Sequence, residues 1–337
     1  QQSWSDLPAE QIESASQSNL QAILERAVAA GMHHIETARH YGSSERQLGS
    51  LLGSVPDPCR ILQTKIPPAE DPQQFEAELR TSVERLALEH NGERISLLSI
   101  HGVNTAELLH QTLRPGGCLE VARRWQAEGL VDHIGLSTHA PLPVILEAID
   151  SDAFAYINLH WYYIRQDNTP AIEAARAHDM GVFLISPTDK GGHLHSPSQR
   201  LLELCDPLHP IVFNDLFCLT APGVHTLSVG AARPSDLDLH LQAVALLGQR
   251  HYLGVPAASA DYSSERRVSR SGYLKSTSAA NPSGDFNYVY DASDNQGLDD
   301  GVYGEWKIGS DVRLNIKVAD NYVFLGYHLR NVSGRRC

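Results

Sequence analysis

Apolar and polar positions follow two alternating patterns along the chain up to about residue 250. In the first, apolar residues recur every three to four positions, which predicts helices at 16–30, 45–52, 72–90, 119–128, 144–149, 170–178, 212–219 and 235–247. The second consists of short apolar runs rich in β-branched residues, which predict strands at 34–38, 61–66, 95–101, 133–137, 156–161, 181–186 and 225–229. Strands that alternate with helices are joined by crossover connections, so the pattern predicts a parallel sheet.

Seven strands are predicted, whereas a closed β/α barrel has eight. Because the first predicted helix has no strand before it, we expect an α/β fold of the (β/α)8 TIM barrel type over residues 1–250, with its first strand missing from the chain. A doubly wound open sheet is the alternative architecture. No G-x-G-x-x-G sequence follows any predicted strand, which disfavours that alternative.

The regular pattern ends near residue 251, and the tail at 251–337 is of unknown role. Residues 255–304 are rich in Ser, Gly, Asn and Asp, a composition typical of loops or disorder. Apolar residues then alternate over 312–318, and a turn at 320–321 precedes a second apolar segment at 322–329, which predicts a β-hairpin within 311–329. The sequence leaves open whether this hairpin pairs with the barrel.

Composition narrows the classes of partner and location. A net charge of −13 repels nucleic acid and anionic lipid, so we expect neither nucleic acid nor a membrane as a partner. No apolar run approaches the roughly 20 residues that span a bilayer. The five cysteines include no Cys-x-x-Cys pair, which argues against a metal or iron–sulfur site and favours a reducing, cytoplasmic location. The oligomeric state is not indicated.

Four polar side chains fall at the carboxyl ends of predicted strands, where parallel barrels carry their active sites. Glu36 interrupts an apolar strand, Tyr41 lies in the loop after it, and Lys65 and His101 end the next two strands. A buried ammonium requires a counter-charge, which Glu36 can supply. An ammonium beside a phenol stabilises the phenolate, so Tyr41 becomes a usable acid near neutral pH. A purely structural ion pair is the alternative interpretation.

The segment 30–49 carries a family resemblance. It reads A-G-M-H-H-I-E-T-A-R-H-Y-G-S-S-E-R-Q-L-G, which resembles the aldo/keto reductase signature of an acid-Thr-Ala, then Tyr-Gly, Ser-Glu and Leu-Gly. Segments 63–65, 98–101 and 134–138 follow in the family's order, so the resemblance extends over about 16–247. It implies hydride transfer from a nicotinamide nucleotide to an aldehyde or ketone.

The same resemblance implies the role of each site residue. Tyr41 is the proton donor, Lys65 tunes it, Glu36 anchors Lys65, and His101 orients the carbonyl. The residues expected to bind the cofactor are Ser137, Thr138, Asn158 and Ser186 near the strand ends, and Gly230, Ala231, Arg233 and Ser235 at the adenosine phosphate end. Backbone N–H groups at a helix start suit an anion. Because Arg233 suits a 2′-phosphate, we expect NADPH, with NADH as the alternative.

Departures from the family pattern keep other functions open. Glu36 stands where the family normally has Asp, and Ile185 stands where an aromatic side chain usually stacks on the nicotinamide. These departures motivate a second hypothesis, a nicotinamide-nucleotide-binding barrel of low or no activity that acts as a redox sensor or scaffold. A barrel hydrolase or isomerase without nicotinamide is a third. No metal ligand set is expected, and the sequence does not specify which small-molecule carbonyl compound is the substrate.

Overall fold

The computed structural model of the protein describes residues 6–189, 192–249, 301–308 and 312–319. The strands are β1 (His34–Glu36), β2 (Ile61–Ile66), β3 (Ile95–His101), β4 (Val131–Ser137), β5 (Tyr156–Leu159), β6 (Gly181–Ile185), β7 (Thr226–Ser228), β8 (Gly301–Ile308) and β9 (Val312–Ala319). The helices are α1 (Ser14–Ala29), α2 (Ser44–Gly49), α3 (Pro72–Arg85), α4 (Leu88–Asn91), α5 (Ala106–Leu113), α6 (Cys118–Ala127), α7 (Leu142–Asp150), α8 (Thr169–Ala177), α9 (Gln199–Cys205), α10 (Pro210–Leu219) and α11 (Asp238–Gln249). Short 3-10 helices lie at Ala9–Gln11, His193–His195 and Pro234–Leu237.

Strands β1 to β7 form one parallel sheet in sequence order. The two edge strands are β1 and β7, and the side chain of Glu36 on β1 hydrogen bonds to Ser228 on β7. A side-chain contact therefore links the two edges of the sheet, as expected in a barrel. The structure confirms the predicted β/α barrel with seven described strands, and all their carboxyl ends open on the same side.

Two apolar regions hold the barrel together. Strand β2 and nearly all of β3 are buried on both faces, as is typical of strands in a parallel sheet covered by helices. Their outward side chains join the main core, which lies between the sheet and the helices. Inside the sheet, a smaller cluster consists of Ile61, Leu97, Tyr156 and Phe183. This cluster underlies the polar side chains at the carboxyl ends of the strands.

Local sequence signals explain several helix ends. Asp71 caps α3 by accepting a hydrogen bond of 2.9 Å from the backbone N–H of Gln73, and Pro72 occupies the first turn, where its missing N–H costs nothing. Gly31 follows α1 with a φ of 80°. Glycine adopts this left-handed conformation without a steric penalty, so Gly31 ends the helix one residue after the C-cap Ala30.

The helical prediction differs from the structure in three places. The predicted helix at 72–90 is broken into α3 and α4, because Ala87 takes a left-handed conformation with a φ of 50°. Helices α5 and α9 were not predicted, and each spans only about two turns. The predicted helix at 235–247 begins as the 3-10 helix Pro234–Leu237 before α11 follows.

In the tail, β8 and β9 pair antiparallel in a two-stranded sheet of their own. Strand β9 covers the segment predicted to be the first strand of the hairpin. The second predicted strand, at 322–329, lies outside the described residues. No helix in the described part of the chain combines the length and apolar character needed to cross a bilayer.

Candidate active site

Neighbouring strands bring the four predicted catalytic side chains together. Glu36 is the last residue of β1, Lys65 lies near the end of β2, and His101 ends β3. Tyr41 follows β1 after a short loop. The backbone N–H of Tyr41 closes this loop by donating a hydrogen bond of 3.0 Å to the carbonyl of Ala38. All four therefore lie at the carboxyl end of the barrel, as the sequence predicted.

The ammonium of Lys65 makes the central contacts. It lies 2.5 Å from a carboxylate oxygen of Glu36. It also donates a hydrogen bond of 3.3 Å to the hydroxyl of Tyr41 and one of 3.2 Å to the backbone carbonyl of Thr37. The side chain of Lys65 is 1% exposed. The three contacts match the three donors of an ammonium, so its position is fixed.

Tyr41 is the most exposed member of the group, with 36% of the residue exposed. Its ring centroid lies 4.7 Å from the Lys65 ammonium and 5.7 Å from the ring centroid of His101, at an interplanar angle of 81°. The phenol and the imidazole therefore border the same small space at the mouth of the barrel. A substrate oxygen placed there can contact both.

Electrostatics define the charges of this group. Burial alone would raise the pKa of Glu36, but the adjacent Lys65 ammonium holds that pKa below its ordinary value, and the hydrogen bond from Ser228 adds to the effect. Burial, followed by the charge of Lys65, lowers the pKa of His101 to about 4. At neutral pH, Glu36 is therefore a carboxylate and His101 a neutral imidazole, which can donate one N–H to a carbonyl oxygen.

A polar network lies directly beneath these groups, and the sequence prediction missed most of it. The amide nitrogen of Asn158 donates a hydrogen bond of 3.3 Å to the carboxylate of Glu36. The amide oxygen of Asn158 accepts one of 2.8 Å from Gln63 and one of 3.2 Å from Ser99. Ser99 also lies 2.9 Å from the hydroxyl of Tyr156. The network holds the Glu36 carboxylate from below, so it positions the ion pair.

A sequence signal for this network exists. Gln63 lies two residues before Lys65, and Ser99 two residues before His101, each within a predicted strand. Successive side chains of a strand point to opposite faces, so residues two apart share a face. A polar residue at that spacing from a site residue therefore marks the interior of the barrel.

The residues predicted at the nicotinamide end occupy two different environments. Asn158 and Ser137 are paired in register on β5 and β4 and are both buried, and Asn158 reaches Glu36. Thr138 is buried as well, but its hydroxyl donates 2.6 Å to the carbonyl of Val103 and accepts 2.9 Å from the N–H of Ala140. The hydroxyl of Thr138 thus holds the turn after β4.

The remaining predicted cofactor residues follow β6 and β7. Ser186 has a φ of 56°, so the chain turns sharply where β6 ends, directly after the half-buried Ile185. Gly230, Ala231, Arg233 and Ser235 follow β7 on the same side of the barrel as Tyr41. Ser235 lies inside the 3-10 helix Pro234–Leu237, whose N-cap is Arg233 and whose Asp236 side chain accepts from the N-cap backbone.

Three more histidines border the site, and none was predicted. The charges of His40 and His139 both contribute to lowering the pKa of His101, so both lie near it. The ring of His139 stacks on that of the buried His160, with centroids 4.6 Å apart at 29°. The barrel mouth beside His101 is therefore lined with imidazoles.

Comparisons with known proteins agree with this geometry. The model of the aldo/keto reductase family matches residues 6–233. Similar solved structures include the holo form of an aldo-keto reductase from Bacillus halodurans, with a TM-score of 0.56 and 18% identity over 68% of this chain and 82% of that one. Another is a glycerol dehydrogenase from Gluconobacter oxydans, with a TM-score of 0.56 and 15% identity over 69% of this chain and 82% of that one.

An aldose reductase from Giardia lamblia gives a TM-score of 0.55 and 14% identity over 69% of this chain and 85% of that one. At these identities the solved structures show the fold alone. No curated protein sequence matches the chain.

Proposed function

This chain belongs to the aldo/keto reductase family, and from that premise we propose that it reduces an aldehyde or ketone by hydride transfer from a nicotinamide nucleotide, with Tyr41 as the proton donor. The observation that carries the proposal is the Lys65 ammonium, which bridges the Glu36 carboxylate at 2.5 Å and the Tyr41 hydroxyl at 3.3 Å. An ammonium in that position stabilises the phenolate that remains after the proton has left.

Each residue of the group has one role in this reaction. His101 donates a hydrogen bond to the carbonyl oxygen and polarises it, Tyr41 transfers its proton to that oxygen, and Lys65 stabilises the phenolate. Glu36 holds Lys65, and Asn158 holds Glu36. A general acid positioned in this way contributes roughly a hundred- to ten-thousandfold to the rate.

When bound, the reduced nicotinamide supplies the hydride that adds to the carbonyl carbon. The carbonyl oxygen gains the proton of Tyr41, the product is an alcohol, and the exposed phenolate regains its proton from water. Buried polar groups at the strand ends, notably Asn158 and Ser137, fit the carboxamide of a nicotinamide.

The length of Glu36 is compatible with this role. Although the family normally has the shorter Asp here, Glu36 contacts Lys65 directly, and two further hydrogen bonds from Ser228 and Asn158 fix its carboxylate. The extra methylene therefore leaves the ion pair intact.

Ile185 supports the second candidate, a nucleotide-binding barrel of low or no activity that acts as a sensor or scaffold. A half-buried aliphatic side chain ends β6, where an aromatic side chain would add stacking energy. The sensor hypothesis predicts nucleotide binding without consumption.

Two measurements on the purified full chain distinguish these functions. Fluorescence titration with NADH and NADPH reports binding, and loss of absorbance at the reduced-nicotinamide band with a panel of small aldehydes and ketones reports turnover. Binding with turnover supports the reductase, and binding with no turnover across the panel supports the sensor. Failure to bind either nucleotide would overturn both and favour a barrel hydrolase or isomerase.

A further inference from the structure

The loop after β7 contains an internal ion pair that the sequence pattern did not reveal. One carboxylate oxygen of Asp236 accepts hydrogen bonds from the backbone N–H groups of Ala232, at 2.9 Å, and Arg233, at 3.2 Å. The other accepts 2.9 Å from the guanidinium Nε of Arg233. We call residues 230–236 the Asp236 loop.

These donors are of the kind that bind a phosphate, since backbone N–H groups and a guanidinium are the usual partners of bound anions. In this chain the Asp236 carboxylate already accepts from two of these N–H groups and from Nε of the guanidinium. The side chain of Asp236 is only 13% exposed, whereas that of Arg233 is 74% exposed. Burial opposes ionisation of Asp236, but the bonds from Arg233 and the backbone outweigh it and lower its pKa. Asp236 is therefore a carboxylate at neutral pH, paired with the guanidinium of Arg233.

The Asp236 loop lies close to the candidate active site along the chain. Ser228 on β7 bonds to Glu36, and Ala232 follows only four residues later, so at most about 14 Å of extended chain separates them. Asn19 of α1 fixes the loop by donating 2.8 Å to the carbonyl of Ala232. A dinucleotide whose reactive end lies beside Tyr41 can therefore reach this loop with its other end.

The charges next to the loop are balanced as well. Asp238 is paired with Arg26 of α1, and Arg233 is paired with Asp236. The four side chains form two separate ion pairs, so Asp236 is the carboxylate that faces the donors of the loop. A phosphate brought against the loop would meet the Asp236 carboxylate among the donors it needs.

We propose that Asp236 makes this chain select a nicotinamide nucleotide that lacks a 2′-phosphate, so that NADH is bound in preference to NADPH. The inference rests on the proposed function, because it assumes that a nicotinamide nucleotide is the cofactor. It replaces the expectation from sequence that Arg233 serves a 2′-phosphate, since the guanidinium of Arg233 already has a carboxylate partner.

Calorimetric titration of the full chain with NADH and NADPH tests the proposal without any turnover. We expect NADH to bind at least tenfold more tightly than NADPH. Asp236→Asn keeps the shape of the side chain and removes its charge. In this variant the affinity for NADPH should rise at least fivefold, while the affinity for NADH stays within twofold of the parent. 5′-AMP and 2′,5′-ADP should show the same change in ratio, because they differ only in the 2′-phosphate that Asp236 would repel.

A matched control separates this effect from overall charge. Asp238→Asn removes the same charge two residues away and leaves the Asp236 loop unchanged, so we expect its NADH:NADPH ratio to stay within twofold of the parent. Asp236→Ser, which retains an oxygen that can accept from Ala232, provides a second variant in case Asp236→Asn does not fold.

The outcomes are distinguishable. If the parent bound NADPH as tightly as NADH or more tightly, the inference would be overturned and the proposed function would stand. The same would follow if Asp238→Asn changed the NADH:NADPH ratio as much as Asp236→Asn does. Failure of the parent to bind either nucleotide would overturn the proposed function, and the inference would fall with it.

Discussion

The ammonium of Lys65 lies 2.5 Å from the carboxylate of Glu36, although the two residues come from different strands. The register explains this contact, since Glu36 on β1 is paired with Gln63 on β2 and Lys65 lies two residues further along the same face. The pair is therefore fixed by the sheet itself. It in turn positions the ammonium against Tyr41.

Replacing Tyr41 with Phe should remove the proton donor and leave the fold intact. We expect turnover to fall at least about a hundredfold, with nucleotide affinity within a few-fold of the parent, because the ring and its position are kept. Steady-state kinetics with a reducible aldehyde and a nucleotide titration measure the two effects.

Tyr156→Phe is the matched control, since it removes the same hydroxyl from a buried tyrosine beneath the site. Loss of that hydrogen bond should cost about 1 kcal/mol of stability and change turnover less than tenfold. A Tyr41→Phe variant that turns over like the parent would exclude Tyr41 as the acid.

In a double-mutant cycle at Lys65 and Glu36, the double variant should recover stability but not turnover. Lys65→Met and Glu36→Gln each leave one buried charge without its partner, so each should lower the free energy of unfolding by about 3–5 kcal/mol. The double variant has no buried charge and should recover most of that loss. Turnover should remain low in all three variants, because none retains the ammonium fixed beside Tyr41.

Chemical denaturation and steady-state kinetics on the same preparations check this cycle. If the double variant lost as much stability as the two single variants together, Lys65 and Glu36 would be energetically independent. The ion pair would then not be what positions the ammonium.

How far the sequence determines this site can be judged from particular residues. Glu36, Lys65 and His101 could be located because a charged or imidazole side chain that ends an apolar strand is conspicuous, and parallel strands bring their carboxyl ends together. The partner of Arg233 could not be inferred in the same way. Asp236 lies three residues further on in a polar segment, and only the turn of the backbone brings its carboxylate back onto Arg233 and the N–H groups of the loop.

The fold also has features that the sequence predicts and features that it does not. The strands and long helices can be predicted from the spacing of apolar residues, because that spacing reflects which side of each element is buried. The break at Ala87 does not, because Leu86 and Leu88 on either side are both buried and continue the apolar pattern through it. A left-handed residue inside such a pattern is set by packing in three dimensions.

Stability should depend on pH through His101. The folded-state pKa is about 4, below the ordinary value near 6.5, so between these values the unfolded chain binds more protons than the folded one. The free energy of unfolding should therefore fall as pH decreases from 6.5 to 4, with His101 contributing about 3 kcal/mol.

Urea denaturation at several pH values between 7 and 4 measures this slope. In His101→Gln the fall should be shallower, although the lowered pKa of the buried His34 leaves part of it. An equally steep fall in that variant would show that His101 is not a source of the pH dependence.

Two glycines flank Tyr156 in the sheet, and they should respond differently to substitution. Gly135 on β4 and Gly181 on β6 are both paired with Tyr156 in register. A Cβ at Gly135 would lie 2.6 Å from the atoms of the tyrosine ring, whereas a Cβ at Gly181 would lie 3.1 Å from Tyr156 Cβ. A rigid ring stacked on Phe183, with centroids 4.9 Å apart, cannot yield by the distance that the first contact requires.

Gly135→Ala should therefore cost about 1–3 kcal/mol, the usual range for overpacking, and Gly181→Ala should cost less. The displaced ring would also pull the Tyr156 hydroxyl from Ser99, so turnover should fall by less than tenfold in Gly135→Ala, as in Tyr156→Phe, and stay near the parent value in Gly181→Ala. Adding Tyr156→Leu to Gly135→Ala removes the ring that clashes, so the double variant should lose less stability than the two single changes combined. Strictly additive losses would mean that the ring of Tyr156 and position 135 do not compete for the same space, and that the missing side chain at Gly135 does not shape the floor of the site.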